Sequence, residues 1–478
     1  MQTRRRALLV ACDNFVTQKS TQGACEKNAE TLRERLEHPG LDLESVLHSY
    51  NMVASRDDFV NAVTTAFEDS DANDLNILYI STHGLYDPIV HPEGALVFSD
   101  GKTESVLRAS EIAEAFQYVE GKHLIIVDAC YSGALIGKGV SGGGFGNPFQ
   151  GTRSMLLTSS GGSELSWYWV DNAQSDVKLV GAGYFSAMLS QALNPQDAYP
   201  ADLNHNMEIT LSELYSYLYA NHAASVVQVY PENSEEPLFA LPPGEVDVQP
   251  QLRDIRFYNQ YIDTAHPAIN FSFEVQTPIV PLYQIVYYRN DRWDFEGAEF
   301  VYDFAALDED GGLHPLEAGV YRRKIDVIPE RVEEQSYAMI NILSREGTHL
   351  KFISSQIIAI LQEQGITEME VMTGKAFQPL YGQELPIIVS HNIPCLLSVS
   401  IVDEQDETVY NIVENRMTRP ESLRPNASSF AWNGIGADGE AAPPGRYRVR
   451  SIGVLQDQYI ERYSEPFEIL KIEATNGG

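Results

Sequence analysis

Two short segments of the sequence carry side chains able to do covalent chemistry. In Ile77-Leu-Tyr-Ile-Ser-Thr-His83-Gly84 an imidazole follows an apolar run, and in Leu124-Ile-Ile-Val-Asp128-Ala-Cys130-Tyr-Ser-Gly133 a thiol does the same. Each group stands just past the carboxyl end of what reads as a buried strand. In open α/β sheets, ligands bind in the crevice outside those ends. If the two strands are neighbours, His83 and Cys130 face one another there. A thiol beside an imidazole loses its proton more readily, and the thiolate is the nucleophile. The following glycines let a substrate approach the backbone closely. The N–H groups of Gly84 and Cys130 are then donors for a developing oxyanion.

The elements that must position these groups follow from periodicity. Ala7–Ala11 is a short continuous apolar run, read as a buried strand. Cys25, Ala29, Leu32 and Leu36 form one helical stripe. Ser55 and Asp58 make a capping-box-like start before Phe59, Val60, Val63 and Phe67. Ser110 opens a helix with Ile112, Phe116 and Val119, and Met155–Thr158 is a further strand. Helices fit Phe185–Leu193 and Leu211–Ala220. Apolar strands alternating with amphipathic helices predict an α/β fold, a mostly parallel sheet with helices on both faces. A Pro-rich stretch at 241–250 closes this pattern, and beyond it the chain reads mostly as β, as in Ala268–Val275, Ile285–Tyr288 and Ser398–Val402. Phe352–Gln364 reads as a helical insert. The expected domains are 1–243, a β-rich 244–380 and a β-sandwich over 381–478.

At this point a family resemblance enters. Ser-Thr-His83-Gly84 followed by Asp128-Ala-Cys130-Tyr-Ser-Gly133, with 47 residues from His83 to Cys130, resembles the caspase-like cysteine peptidase superfamily, particularly its metacaspase and prokaryotic caspase-like branches. A histidine roughly 50 residues before the cysteine is a known mark of caspases. The resemblance covers about Arg5–His222 and implies a caspase-like fold with His83 and Cys130 as the catalytic dyad. Asp128 matches the acidic residue with which metacaspases bind a basic P1 side chain, while Tyr131 departs from the histidine common there. A carboxylate in a partly dry pocket favours a cation and repels another carboxylate. Asp128 therefore predicts cleavage after Arg or Lys. Asp13, just past the first strand, is a second candidate acid for that pocket. Ser166-Trp167 matches a pair that lines the caspase substrate groove, so Trp167 is expected to wall the cleft or to pack as an ordinary aromatic.

The Gly-rich stretch Gly133–Gly151 follows the nucleophile directly and reads as a surface loop or as a processing loop, with Lys138 and Arg153 as residues for self-cleavage. Asp202, Asn204, Asn206 and Glu213 echo the oxygen ligands of an EF-hand loop, but Met207 stands where that loop needs glycine. Thr210 and Glu213 also fit a capping box. The metacaspase resemblance adds calcium as an activator, with Asp87, Glu93 and Asp100 as acids near the cleft; no cofactor is otherwise required. Phe430-Ala-Trp432 through Pro444-Gly445-Arg-Tyr447-Arg-Val449 resembles the bacterial Ig-like repeat of flagellar hook-capping proteins, with Trp432 in a sandwich core.

Composition sets the outer bounds. The chain has 478 residues, 44% hydrophobic and 21% charged, with a formal net charge of −34. Nucleic acid and anionic membrane are poor partners for such a field, whereas positively charged peptides are favoured ones. No apolar run approaches the ~18 residues of a spanning helix. The basic start is followed by only five apolar residues, Ala7–Ala11, too few for a signal peptide. Four cysteines without CxxC pairing argue against a disulfide scaffold or a zinc site and for a reducing compartment, the cytoplasm. Cys25 and Cys395 read as buried filler, and Cys12, which also ends a strand, lacks the small-residue turn that follows a nucleophile. The expectation is a cysteine endopeptidase in regulated proteolysis, whose β domains recruit a protein substrate or regulator. The alternatives are a caspase-like scaffold with vestigial catalysis, and peptide ligation through the same thioester.

Overall fold

The computed structural model describes residues 3–140, 146–171, 179–242, 252–289, 292–295, 297–307, 312–327, 337–346, 349–361, 366–379, 383–420, 426–437, 439–455 and 458–470. The first half forms β1 (Arg5–Ala11), α1 (Ala24–Leu36), β2 (Ser45–Tyr50), α2 (Arg56–Ala66), β3 (Leu75–Ser81), β4 (His83–Asp87), β5 (His91–Ser99) and β6 (Glu104–Arg108). There follow α3 (Ala109–Ala115), β7 (Lys122–Asp128), β8 (Ser154–Thr158), β9 (Tyr168–Asp171), β10 (Leu179–Gly183), α4 (Tyr184–Ala192), β11 (Glu208–Thr210), α5 (Leu211–Asn221), β12 (Gln228–Tyr230) and β13 (Pro237–Ala240). The main sheet runs β12-β8-β7-β3-β1-β2; all its pairs are parallel except β8 with β12.

Continuous apolar strands are what a sheet buried on both faces requires. Leu78 and Ile80 of β3 pack with Phe59 and Val63 of α2 and Ile112 of α3. The intervening Tyr79 points the other way, and its hydroxyl bonds Ser186 of α4 at 2.6 Å. Ser55 caps α2, accepting the Asp58 N–H at 3.1 Å, while the Asp58 carboxylate accepts the Ser55 hydroxyl at 2.8 Å. Helix α3 is shorter than its apolar spacing predicts: it opens at Ala109, with Glu111 accepting the Arg108 N–H at 2.9 Å, and ends before Phe116 and Val119. The hairpin sheet β4-β5-β6 has no counterpart in the sequence reading.

Two compact units are present. The first takes in Met1–Asn259, Ile269–Ile325 and Ala338–Ile357; the second takes in Gln260–Ala268, Asp326–Tyr337 and Ile358–Gly478. In the first unit, Pro281–Tyr287 pairs antiparallel with Ala338–Ser344, and Leu282–Ile285 with Glu299–Tyr302. The helical reading of Phe352–Gln364 is corrected: His349–Ile360 is one long strand. Ile353, Ile357, Ile358 and Ile360 are β-branched, and their χ1 stiffness favours a pleated surface over a helix. In the second unit, Trp432 is fully buried; its indole donates to the Ile435 carbonyl at 2.8 Å and its rings meet Phe377, Tyr447 and Phe467.

Candidate active site

Register builds the site. Ser81, the last residue of β3, lies opposite Asp128, the last residue of β7. Two residues further on, each strand carries its reactive group, His83 on one and Cys130 on the other. The strand ends touch closely: a Cβ on Gly84 would lie 1.8 Å from the Cys130 carbonyl oxygen, so only glycine fits there.

Cys130 is partly buried, and its thiol donates to the Ser166 carbonyl at 3.7 Å. Burial pushes that thiol up to about 11, and the Asp128 carboxylate adds to the rise. At neutral pH the side chain is therefore a protonated thiol. Tyr131, next in line, takes the left-handed conformation at φ 59°, which costs a non-glycine residue about 1 kcal/mol. Its N–H is held by the Glu164 carbonyl at 2.6 Å. The Ala129 N–H is likewise held, by the Ser159 hydroxyl at 3.1 Å. The Cys130 N–H between them donates to no backbone carbonyl among the described residues.

The His83 ring packs on Phe15, centroids 4.5 Å apart, and its Nε2 lies 2.7 Å from the Lys19 carbonyl. A carbonyl only accepts, so Nε2 carries the proton, and in the neutral ring Nδ1 is the basic nitrogen. Ring and thiol are not hydrogen-bonded to one another in this state. Lys19 belongs to an exposed loop anchored by Glu104, whose carboxylate accepts the N–H groups of Val16 at 2.7 Å and Thr17 at 3.0 Å. Nothing in the sequence marks Lys19, because the group that matters is a backbone oxygen.

Asp128 lies beneath the two tips, 5% exposed. It accepts hydroxyls from Ser166 at 2.8 Å and Ser186 at 2.5 Å, and the Asn28 amide at 3.2 Å. Burial pushes its carboxyl above the usual range, while the Ser186 and Ser166 donors pull it back. Gly183 packs against it, its absent Cβ falling 3.1 Å from Asp128 Oδ2. Asp13 is spent differently: it accepts the Thr21 hydroxyl and, at the N-terminus of α1, the N–H groups of Cys25 at 2.9 Å and Glu26 at 2.8 Å. Trp167 is partly buried, with its carbonyl holding the Tyr184 N–H at 3.0 Å.

Of the two residues expected for self-cleavage, Lys138 is the more enclosed. Its ammonium is buried against the Val229 carbonyl at 2.6 Å and Glu232 at 3.0 Å. Arg153 is exposed and paired with Glu120 at 2.7 Å. Residues 141–145 of the same loop lie outside the described residues. Cys12 is buried, its thiol pushed up to about 11; burial also raises Cys25, and raises Cys395 to about 12. The EF-hand-like oxygens are engaged with their own loop: Asp202 accepts the N–H groups of Asn206 and Met207, and Glu213 closes the capping box with Thr210. Asp87 and Asp100 likewise accept N–H groups of their own turns, and Glu93 accepts Ser110. Among the described residues no group of three or more His, Cys, Asp or Glu side chains is arranged to hold a metal ion.

The mostly parallel sheet with helices on its faces is consistent with a caspase-like fold. Residues 4–209 match the family described as "Caspase domain". Such a domain supports cysteine-peptidase chemistry on protein substrates. No curated protein matches the chain. A solved structure, protein GSU0716 from Geobacter sulfurreducens, is similar at 14% identity and a TM-score of 0.36, covering 50% of this chain and 100% of its own, a likeness that adds nothing to the functional reading. No helix among the described residues is long and apolar enough to cross a membrane.

Proposed function

We propose that the protein is a cysteine endopeptidase that cleaves after Arg or Lys. The reading rests on one observation: the register that sets Ser81 opposite Asp128 carries His83 and Cys130 onto adjacent strand tips above a buried carboxylate. In the proposed cycle, His83 Nδ1 takes the Cys130 proton as Sγ attacks the scissile carbonyl. The Cys130 N–H, with that of Gly84, receives the oxyanion. The imidazolium then protonates the leaving amine, and water hydrolyses the thioester. Asp128 holds the P1 cation: Ser166 and Ser186 donate by rotatable hydroxyls, which can turn aside for a guanidinium or ammonium. The substrate is a protein segment with a basic P1 residue, and the β portions recruit it or a regulator. Self-cleavage in the loop after Cys130 falls to Arg153.

The test is hydrolysis of fluorogenic peptides that differ only at P1. Arg and Lys peptides are cleaved and the Asp peptide is not, and Cys130→Ala and His83→Ala each lower kcat/KM by about 10⁴-fold. Equal rates on Arg and Asp peptides would remove the pocket assignment. Intact mass of wild type beside Cys130→Ala checks self-cleavage, which predicts fragments in the first alone.

One observation favours a second reading, a scaffold with vestigial catalysis: the resting thiol is bonded to the Ser166 carbonyl and not to His83. Labelling by an Arg chloromethyl ketone separates the two. A peptidase is modified at Cys130 with a rate that depends on His83; a scaffold is left unmodified.

A further inference from the structure

Gln284, in the strand Pro281–Arg289, lies opposite Asn341, in the strand Tyr337–Glu346. Both stand beyond the residues that match the caspase domain, and both are buried. An amide inside a core is costly unless its polar atoms are engaged. Here the Gln284 side-chain oxygen accepts two donors, the Asn341 amide at 2.9 Å and the Tyr184 hydroxyl at 2.9 Å. Tyr184 is the first residue of α4 and is itself fully buried. Its ring meets Phe295 at 5.2 Å and Phe352 at 5.6 Å between centroids, and Phe295 also meets Trp167 at 5.1 Å. The β strands and α4 are thus joined by a buried polar cluster with aromatic rings packed around it.

The location of this joint matters more than its size. Immediately before Tyr184, Gly183 donates its N–H to Asn28, which in turn donates to Asp128 at 3.2 Å. Two residues after Tyr184, Ser186 donates to the same Asp128 oxygen at 2.5 Å, and its hydroxyl also bonds that of Tyr79 at 2.6 Å. Residues two apart in the first turn of a helix move together, and a close-packed interior transmits their displacement. Two of the three side-chain donors on Asp128 are therefore tied to the place where α4 begins. That place is fixed from one side by the Trp167 carbonyl, which accepts the Tyr184 N–H at 3.0 Å, and from the other by Gln284.

We infer that Gln284, supplied by the β strands beyond the caspase domain match, is a positioning residue for the pocket that holds the basic side chain: through the Tyr184 hydroxyl it sets where Ser186 meets Asp128. The inference rests on the peptidase reading above. It makes the downstream β strands a support of the cleft itself, in addition to any part they take in recruitment.

The experiment uses the full chain, fluorogenic peptides with Arg at P1, and iodoacetamide as a probe of Cys130 alone. Gln284→Met keeps the side-chain length and removes the acceptor; Tyr184→Phe keeps the ring and removes the donor. Each raises KM for the Arg peptide about tenfold, the effect of one buried hydrogen bond, with kcat within about twofold and alkylation of Cys130 unchanged. The double variant is no worse than either single one, because both delete the same bond. In a Ser186→Ala background, Gln284→Met raises KM by less than about twofold, since the side chain through which it acts is gone. If wild type cleaves Arg peptides and KM is unchanged in both single variants, the inference is wrong and the peptidase reading stands. If KM, kcat and alkylation all deteriorate together, the cluster is a structural joint only, and the inference is equally overturned. If wild type cleaves no Arg peptide, both readings fall.

Discussion

Asp13, just past β1, and Asp128, the last residue of β7, stand at the ends of central strands of one sheet, and both are buried, yet they are bound in opposite ways. Asp13 accepts two backbone N–H groups at the head of α1 and the Thr21 hydroxyl. Those N–H groups point where the helix directs them and cannot be withdrawn. Asp128 accepts two serine hydroxyls and an asparagine amide. Side-chain donors rotate, so an arriving cation can replace them without moving the backbone. Strand-end position alone therefore does not decide how an acid is bound. The donors around it decide whether its charge is committed to the fold or held in reserve.

The contrast breaks first at Asp128→Asn. Removing one partner of a desolvated charge pair costs 2–5 kcal/mol, so kcat/KM on Arg peptides should fall by about a hundredfold or more, while Asp13→Asn leaves the Arg-to-Asp ratio at P1 unchanged. A loss of basic preference in both variants would merge the two acids into one pocket. Next is the pH dependence of Cys130 alkylation. With the thiol raised to about 11, the thiolate fraction grows about tenfold per pH unit from pH 7 to 10, without a plateau. A plateau near neutral pH would reveal a resting thiolate–imidazolium pair in place of general-base activation. Third, Asp13→Asn weakens the cap on α1 and should cost about 1 kcal/mol by denaturant titration. Smallest is the stability of Asp128→Asn. A carboxyl raised by burial penalises the charged form in the fold, so the penalty is absent below its unfolded value and sets in as pH rises through the folded one. The variant should melt higher than wild type at pH 7, and the gap should close below pH 4.

Much of the first half is legible in the sequence because buried parallel strands are continuous apolar runs. Ile77–Ile80 and Leu124–Val127 announce themselves, and with them the positions two and three residues beyond. The hairpins from β4 to β6 are not legible, since β4 begins at the histidine and runs on with a mixed pattern in which only Gly84 is buried. Phe352–Gln364 misleads because two apolar periods overlap in Phe-Ile-Ser-Ser-Gln-Ile-Ile-Ala-Ile, and β-branching decides for the strand. At the site, side chains with chemistry stand out, but the atoms that hold them are the carbonyls of Lys19 and Ser166, which any residue supplies. Phe295 lies far along the chain and carries no motif, so only the fold brings it to Trp167.

The loop from Asp13 to Thr21 is closed at its base, where the Thr21 N–H returns to the Asp13 carbonyl at 3.3 Å, and it is pinned at its crown by Glu104. Loops this exposed are where proteins ordinarily absorb insertions and drift. Here an added residue would slide the Lys19 oxygen along the imidazole edge and leave the choice of protonated nitrogen to solvent. The stretch has the exposure of a spacer and the length tolerance of a ruler.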